Sequence, residues 1–438
     1  MCPVPPTAIW EAIAADSEAP QGMRDAAAAQ LHQTALQESV NKAITAATVE
    51  PLSHKNPDFT CTIFNLDNKV PWNEWDHGTP GNLKEHVNEA ALKELPGNPL
   101  QDTAKKFVVA NPDSAHDMTF KGLHAVYHFF KTRFRRNSLD DDGLEIRASI
   151  HCSRGYDNAY WSTSKQQMVF GDSGRFDGRF WLTPSAETIE EDHLHPEKRL
   201  LLPSEKGRFD HLMNHLWPYK LDVIGHEITH GVVAFTAGLG DAQWDAKNYP
   251  AFSEAATLNE HIADCFAMML KHSVANHTPQ TGSWEMAPGT WSEYVVKHKG
   301  WTGDFVRTFK KPEDPTKSPD STPKVWAWTE RSPWPFAQGG QYGLDPHILC
   351  GIPNHAFYLA ALEFNDYTWK TVGPIWYDAL RDPDFKVPKN QTFLGWKKLT
   401  LKHAKSLFPD KGEAILTRAW NQVGMGADFE ALDAKRAQ

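Results

Sequence analysis

Two histidines with a glutamate between them are the residues whose types and spacing most clearly suggest chemistry. His226 and His230 are four residues apart. On a helix they would lie one turn apart on the same face, where two imidazoles can bind one zinc ion. Glu227 lies beside that face, so its carboxylate can reach a metal-bound water without binding the metal itself. The five residues 226–230 therefore predict part of a catalytic zinc site.

A second motif further along the chain can complete this site. A catalytic zinc commonly has three protein ligands and one open position, and Glu260, thirty residues after His230, is a suitable third ligand. Asp264 follows one helical turn later and can accept the second ring N–H of a ligand histidine, which fixes its tautomer. The helix around the histidines is otherwise apolar, and a buried polar cluster is costly unless it is paired or binds a metal. We therefore predict zinc ligands at His226, His230 and Glu260, with Asp264 behind them.

Two other arrangements of the same residue types are less suitable. Glu254 also follows the histidine motif, but one turn after it stands Leu258, which cannot orient a ligand. His211 and His215 have the same spacing as the first pair, but Leu212 occupies the position of the base. We interpret this second pair as surface histidines.

At these residues the chain resembles the thermolysin family of metallopeptidases, from near residue 60 to the C-terminus. The segments that match the family's motifs are residues 156–161, 167–172, 221–227, 236–239, 303–307, 351–356, 375–380 and 419–424, together with His347. So many separate motifs in the family's order are hard to produce by chance. The resemblance implies a zinc-dependent endopeptidase that acts on peptides or proteins.

The resemblance also implies an α+β fold, a two-domain thermolysin-like zincin with the zinc helix at the cleft. We expect a β-rich N-terminal domain over residues 51–235, ending in the zinc helix, and a mainly α-helical C-terminal domain over residues 236–438. Apolar residues recur at helical spacing at Leu123, Val126, Tyr127, Phe130 and Phe134, which predicts a packed helix. They alternate with polar residues at Leu144, Ile146, Ala148 and Ile150, which predicts a half-buried strand.

Further site residues follow from the resemblance. Asn158 and the carbonyl of Ala159 match the edge strand that aligns the substrate backbone, and such a strand can pair with an extended peptide. Arg307 matches an arginine of the family that binds a substrate carbonyl. His347 matches a histidine that donates a hydrogen bond to the oxyanion formed in the transition state. Taken alone, Arg307 would also fit a surface ion pair and His347 a structural histidine.

The first 50 residues resemble the short propeptide of the protealysin branch of the family, which also opens with a Pro-Pro motif, here Pro5-Pro6. We interpret them as an inhibitory segment that covers the cleft until it is removed. The alternative is an ordinary N-terminal helix that packs on the domain. A thiolate at Cys2 could occupy the open zinc position in the precursor, and an unconstrained terminal cysteine is the alternative.

The chain departs from the family pattern near the expected oxyanion. Asp241 stands where the family has a tyrosine, although Tyr249 in the adjoining insertion could substitute. Tyr342 stands where the family has an aspartate before the catalytic histidine, and Asp345 is the nearest replacement. These departures leave an alternative function open, that of a zinc-binding pseudoprotease or binding protein with little catalytic activity.

A calcium site of the family is also altered. Asp222 and Glu285 match two of its ligands, whereas Lys271 and Ser283 replace acidic ones. A lysine ammonium cannot coordinate calcium, but it can neutralise a carboxylate in place of the ion. We therefore predict that Lys271 forms a salt bridge with a remaining carboxylate. One zinc ion is the expected cofactor, and calcium is doubtful.

Composition sets further bounds. The 438 residues carry a net charge of −10, which argues against nucleic acid and anionic membranes as partners. No apolar run approaches the length of a membrane span, and the N-terminus lacks a classical signal peptide, so we expect a cytoplasmic protein or non-classical export. The five cysteines are sparse and suit free thiols. Substrates and the protein's own propeptide are the expected partners, and the sequence does not indicate an oligomeric state.

Overall fold

The computed structural model describes the chain in separate ranges. These are residues 59–66, 98–102, 114–152, 159–163, 165–171, 175–176, 181–182, 220–239, 254–288, 305–312, 346–427 and 430–431, together with residue 15. Within them, a mixed sheet lies in the N-terminal part and the C-terminal part is mainly helical. This confirms the predicted α+β fold class, while the domain boundaries remain predictions.

The main sheet of the described residues has five strands. They are β1 (Cys61–Asn65), β2 (Asn98–Asp102), β3 (Ile146–Cys152), β4 (Ala159–Ser162) and β5 (Gln167–Gly171), in the spatial order β2-β1-β3-β5-β4. Strand β3 is parallel to both of its neighbours, and the two outer pairs are antiparallel. Strand β4 therefore lies at one edge of this sheet, as predicted for the segment that contains Ala159.

Strand β3 is more buried than its sequence pattern predicts. Ile146, Ala148 and Ile150 face the core, as the alternation indicates. Ser149, on the opposite face, is also fully buried and accepts a hydrogen bond from Nε2 of Gln167 at 2.7 Å. The expectation of a half-buried strand is wrong for this position, because β3 is the central strand and both of its faces are covered there.

Helices supply the rest of the described core. They are α1 (Ser114–Phe134), α2 (Leu221–Ala237), α3 (Glu254–Ala275), α4 (Pro346–Leu349), α5 (Gly351–Phe364), α6 (Val372–Arg381), α7 (Phe393–Leu407) and α8 (Gly412–Gln422). Two short strand pairs complete the elements used below, β6 (Arg175–Phe176) with β7 (Trp181–Leu182), and β8 (Glu285–Met286) with β9 (Arg307–Thr308). The apolar positions that predicted α1 are all buried. Among the described residues, no helix is long and apolar enough to cross a membrane.

Helix α2 carries the histidine motif and is buried on nearly every side. It packs against α3, against α1 and against strand β4. It ends at Gly238, whose φ of 68° lets its N–H donate to the carbonyl of Ala234. A left-handed residue at this position is favourable for glycine and closes the helix.

Helix α2 approaches the sheet closely at Gly231. A Cβ at this position would lie 3.0 Å from Cζ2 of Trp161 on β4 and closer still to Cδ2 of Leu139. A larger residue would therefore displace the end of the Leu139 side chain and crowd the indole ring of Trp161. Strand β4 therefore crosses α2 at the turn that follows Glu227.

Candidate active site

The predicted ligands come together between two helices. His226 and His230 lie on α2 and Glu260 on α3, and one ligand atom from each lies within 4.8 Å of the others. Nε2 of His226 is 3.0 Å from Nε2 of His230 and 3.3 Å from Oε2 of Glu260. All three side chains are buried. Among the described residues, this is the one group of three or more histidine, cysteine or acidic side chains that could hold a metal ion.

The polar contacts behind the histidines determine which ring nitrogens face the site. Nδ1 of His226 lies 2.8 Å from Oδ1 of Asp264, and Nδ1 of His230 lies 3.0 Å from Oδ1 of Asn259. Both oxygens are acceptors that face Nδ1, so Nε2 of each ring is turned toward Glu260. Two ring nitrogens and a carboxylate at such distances repel one another unless a proton or a metal ion lies among them. This donor set fits zinc.

The electrostatics of the group favour a positive charge. Burial by itself would lower the pKa of His226, but the hydrogen bonds and negative charges of Asp264 and Glu260 raise it to about 9. Burial lowers the pKa of His230 to about 4. Burial would raise the pKa of Glu260, but the charges of His347 and His230 hold it well below the usual range. The site therefore contains an ionised carboxylate that stabilises a cation nearby.

Glu227 is fully buried beside the ligands. Its Oε2 accepts the backbone N–H of Trp161 on β4 at 3.0 Å, whereas Oε1 has no hydrogen-bond partner among the described residues. Burial raises the pKa of Glu227 to about 7. A buried polar oxygen without a partner indicates that a polar group binds there in the working protein. A carboxyl with this pKa is suited to take and return a proton near neutral pH.

Asp264 is the centre of the hydrogen bonds behind the ligands. Arg307 on β9 donates to it through two nitrogens, Nε to Oδ2 and Nη2 to Oδ1, both at 2.7 Å. Nη2 of Arg307 also lies 4.0 Å from Oε2 of Glu260. The alternative of a surface ion pair for Arg307 is wrong, because its guanidinium is buried. Its predicted contact with a substrate carbonyl remains a prediction.

The other predicted residues are only partly described. His347 on α4 is buried, and its Nε2 lies 3.4 Å from Oε2 of Glu260, so it adjoins the ligand group. Ala159 is the first residue of the edge strand β4. The predicted residues that lie outside the described ranges are Asn158, Asp241, Tyr249, Tyr342 and Asp345, together with His211 and His215, whose place at the surface stays a prediction.

Sequence reasoning gave no role to several polar residues that the structure brings to the site. Asn259 orients His230, and Nδ2 of Asn354 on α5 donates to Oδ2 of Asp264 at 2.8 Å. Nδ1 of His261 lies 2.7 Å from Oδ1 of Asn354. A signal for Asn259 and His261 was their position on either side of a ligand. Asn354 and Asp264 are distant in sequence, and no local pattern predicts their contact.

The altered calcium region contains the predicted salt bridge. Nζ of Lys271 lies 3.1 Å from Oδ2 of Asp222 and donates to the backbone carbonyl of Glu285 at 2.6 Å. The hydroxyl of Ser283 donates to Oε2 of Glu285 at 2.7 Å. The backbone N–H of Ala287 donates to Asp222 at 2.9 Å. The lysine ammonium therefore neutralises a buried aspartate at this place.

The thiols and the N-terminal segment were also predicted. Cys61, Cys265 and Cys350 are buried and form no disulfide. The side chains of Cys2 and Cys152 lie outside the described residues, as do Pro5 and Pro6. A propeptide over residues 1–50 and a Cys2–zinc bond therefore remain predictions.

Comparison with known proteins decides the family. The family description "thermolysin metallopeptidase, catalytic domain" matches residues 48–181, and "thermolysin metallopeptidase, alpha-helical domain" matches residues 249–425. Protease PrtS of Photorhabdus sp. (strain Az29) is 31% identical over 343 residues, which cover 77% of this chain and 75% of that protein. The chain belongs to the thermolysin family of metallopeptidases.

Two further similarities agree. The thermolysin-family chain is 28% identical over 358 residues to an extracellular metalloprotease of Pectobacterium carotovorum subsp. carotovorum, covering 80% of this chain and 84% of that protein. The solved precursor of protealysin, a metalloproteinase from Serratia proteamaculans, superimposes with a TM-score of 0.64 at 25% identity. That match covers 96% of this chain and 98% of the protealysin precursor. The resemblance to the protealysin branch is therefore confirmed.

The two family descriptions leave a gap between residues 181 and 249, and α2 lies inside it. His226 and His230 are thus outside the matched segments, and their assignment as ligands rests on the geometry of the group. The thermolysin family is zinc-dependent. This agrees with a group of two histidines and a glutamate that can hold a metal ion.

Proposed function

We propose that this protein is a zinc-dependent endopeptidase that hydrolyses internal peptide bonds and is made as a precursor with an inhibitory N-terminal segment. One observation carries the proposal. The side chains of His226, His230 and Glu260 converge, and the unpartnered Oε1 of Glu227 is buried next to them. A structural zinc site would need the three ligands and a fourth, but it would not need a buried base.

His226, His230 and Glu260 would hold the zinc ion. When bound, zinc supplies Lewis acidity that lowers the pKa of water and polarises a carbonyl. Glu227 takes the proton of the attacking water on Oε1 and delivers it to the nitrogen of the leaving amine. Its other oxygen, Oε2, continues to accept the backbone N–H of Trp161, so the carboxylate is held in one orientation while the proton moves.

Substrate alignment and charge stabilisation fall to residues around the ligands. The edge strand β4 offers a backbone that an extended peptide can join, and Asn158 and the Ala159 carbonyl would fix the register. His347, at the edge of the ligand group, would donate to the oxygen of the scissile carbonyl as it gains charge. Arg307 orients Asp264 and would add its own positive charge near that carbonyl oxygen.

The proposed precursor rests on the N-terminal segment. Residues 1–50 resemble a protealysin propeptide, and the similar solved structure is itself a precursor whose match covers 96% of this chain. The segment would lie over the cleft and keep substrate out until a protease removes it. Calcium would not be required at Asp222, because Lys271 supplies the positive charge there.

The test combines metal analysis with a cleavage assay. We expect one zinc ion per purified chain, little cleavage of a quenched peptide by the full chain, and cleavage after the N-terminal segment is trimmed away. Glu227→Gln should retain the zinc and lose the cleavage. A trimmed wild-type protein that binds zinc and cleaves no peptide would overturn the proposal and favour the zinc-binding pseudoprotease instead.

A further inference from the structure

A line of hydrogen bonds runs from the helical core to the metal group. It starts at Trp376 on α6, whose Nε1 lies 2.9 Å from Nε2 of His261 on α3. Nδ1 of His261 lies 2.7 Å from Oδ1 of Asn354, and Nδ2 of Asn354 lies 2.8 Å from Oδ2 of Asp264. Oδ1 of Asp264 then forms a buried ion-pair contact with Nδ1 of His226 at 2.8 Å. All five side chains are buried.

The directions of the first three contacts in this line, from Trp376 to Asp264, are fixed by its first member. An indole N–H can only donate, so Nε2 of His261 must accept. The neutral ring of His261 therefore carries its proton on Nδ1, which donates to the amide oxygen of Asn354. The amide nitrogen of Asn354 is then turned toward Asp264. Each of these three contacts presents a donor to an acceptor, and none can be reversed while the N–H of Trp376 stays in place.

The orientation of the Asn354 amide matters because its two ends are nearly the same size. If the amide rotated by half a turn, its oxygen would face the carboxylate oxygen of Asp264, and two acceptors would repel. The proton on Nδ1 of His261 prevents this rotation, since the rotated amide would bring its own N–H groups against that proton. Asp264 consequently keeps a neutral donor on Oδ2 beside the charged one from Arg307.

We infer that His261 is a positioning residue for the metal site. Through Asn354 it holds the carboxylate of Asp264 in the orientation in which Asp264 fixes the ring of His226. The inference rests on the proposed function, since it concerns how firmly the zinc ligand is held. Neither His261 nor Trp376 touches substrate or metal in this scheme, and their effect passes entirely through the hydrogen bonds.

The fold provides a matched pair of tryptophans for the test. Trp376 and Trp396 are both fully buried, and their rings lie 6.1 Å and 6.2 Å from the ring of His261. Only Trp376 donates to His261, and Nε1 of Trp396 has no hydrogen-bond partner among the described residues. Trp376→Phe and Trp396→Phe therefore remove similar volume from the same core, but only the first removes the hydrogen bond.

The experiment measures zinc affinity by competition with a chromogenic chelator, and the visible spectrum of the cobalt-substituted full chain. We expect Trp376→Phe to lower zinc affinity about tenfold and to shift the cobalt bands, as is typical when an outer partner of a metal ligand is lost. Trp396→Phe should match wild type in both, even if both variants lose thermal stability. A purely structural role for Trp376 would lower stability without changing the spectrum.

A second variant keeps the inference testable if Trp376→Phe does not fold. Asn354→Ser shortens the amide side chain and breaks the line on the other side of His261, so it should lower zinc affinity at least as much. The inference would be overturned, and the proposed function would not, if Trp376→Phe had wild-type zinc affinity and cobalt bands. If only Asn354→Ser folds, the same result in that variant would overturn the inference. Absence of zinc binding by the wild-type chain would overturn the proposed function together with it.

Discussion

The backbone N–H of Trp161 donates to Oε2 of Glu227 at 3.0 Å, so the edge strand of the sheet holds the side chain that we propose as the base. The two residues are 66 positions apart in the chain. The strand that would align a peptide and the helix that carries two proposed metal ligands are joined at the carboxylate of Glu227. The position of the proposed base relative to the edge strand is therefore set by a backbone hydrogen bond.

Replacing this base should separate metal binding from catalysis. Glu227→Gln keeps the size of the side chain and an oxygen that can accept from Trp161, but it cannot take a proton. We expect kcat to fall by roughly 10²- to 10⁴-fold, with zinc content unchanged, because general-base catalysis contributes about that much. A quenched-peptide assay and metal analysis on the trimmed enzyme measure both quantities.

A glutamate on the neighbouring helix offers the control. Glu254 on α3 accepts the backbone N–H of Phe393 at 2.6 Å and is not one of the ligands. Glu254→Gln should therefore keep near wild-type kcat. If Glu227→Gln retained most of its activity, Glu227 would not be the base.

The buried ion pair between Arg307 and Asp264 should contribute strongly to stability. Arg307→Ala would leave a buried carboxylate without its cation, which costs about 3–5 kcal/mol in comparable pairs. Arg418 provides a contrast, because it also makes a forked contact, with Glu363, but on the surface. Arg418→Ala should change stability little, as is usual for exposed pairs. Urea unfolding of both variants measures the difference, and equal losses would contradict the structure.

Lys271 should determine how the protein responds to calcium. Lys271→Met keeps the length of the side chain but leaves the buried Asp222 without its cation, so we expect a loss of roughly 1–3 kcal/mol. In Lys271→Glu the added carboxylate should repel Asp222 and make the melting temperature rise with added calcium. The wild-type melting temperature should not depend on calcium through this site. Thermal melts in calcium and in EGTA check all three proteins, and calcium protection of the wild type that is lost in Asp222→Asn would refute the assignment.

His272 should make the protein less stable in acid. Its Nε2–H donates to the carbonyl of Ser283 at 2.8 Å, and burial lowers its pKa to about 4. The unfolded chain takes up this proton near pH 6.5, whereas the folded chain does so only near pH 4. The stability from this group is therefore complete above pH 6.5 and is lost as the pH falls, by up to about 3 kcal/mol.

The pH dependence can be assigned by comparing two proteins. His272→Gln keeps a donor for Ser283 but cannot titrate, so its free energy of unfolding should fall less steeply between pH 6.5 and pH 4 than that of wild type. Urea unfolding at several pH values gives both slopes. Equal slopes would mean that another group causes the acid sensitivity.

Features that depend on neighbouring residues in sequence were the predictable ones. His226 and His230, or Glu260 and Asp264, are one helical turn apart, and helix geometry alone places each pair on one face. The salt bridge between Lys271 and Asp222, which are 49 positions apart, was predictable only through the resemblance, because a lysine stands where the thermolysin family has an acidic calcium ligand. The two helical pairs needed only local periodicity.

Features that depend on how elements dock were not predictable in the same way. Asn354 meets Asp264 across 90 residues of sequence, and nothing in the local pattern of either residue indicates the other. The burial of Ser149 follows from the central place of β3 in the sheet, which the alternation of one strand cannot show. The same applies to His261, whose proton position depends on an indole from another helix.

Gly231 allows strand β4 and helix α2 to approach each other closely. The residue lies one turn after Glu227, at the place where Trp161 touches α2, and a methyl group there would meet the indole ring at 3.0 Å. An alanine would clash first with the end of the Leu139 side chain and then crowd the indole ring, which would strain the contact between Trp161 and Glu227. The distance between the edge strand and the carboxylate proposed as the base thus depends on the absence of a side chain at this position.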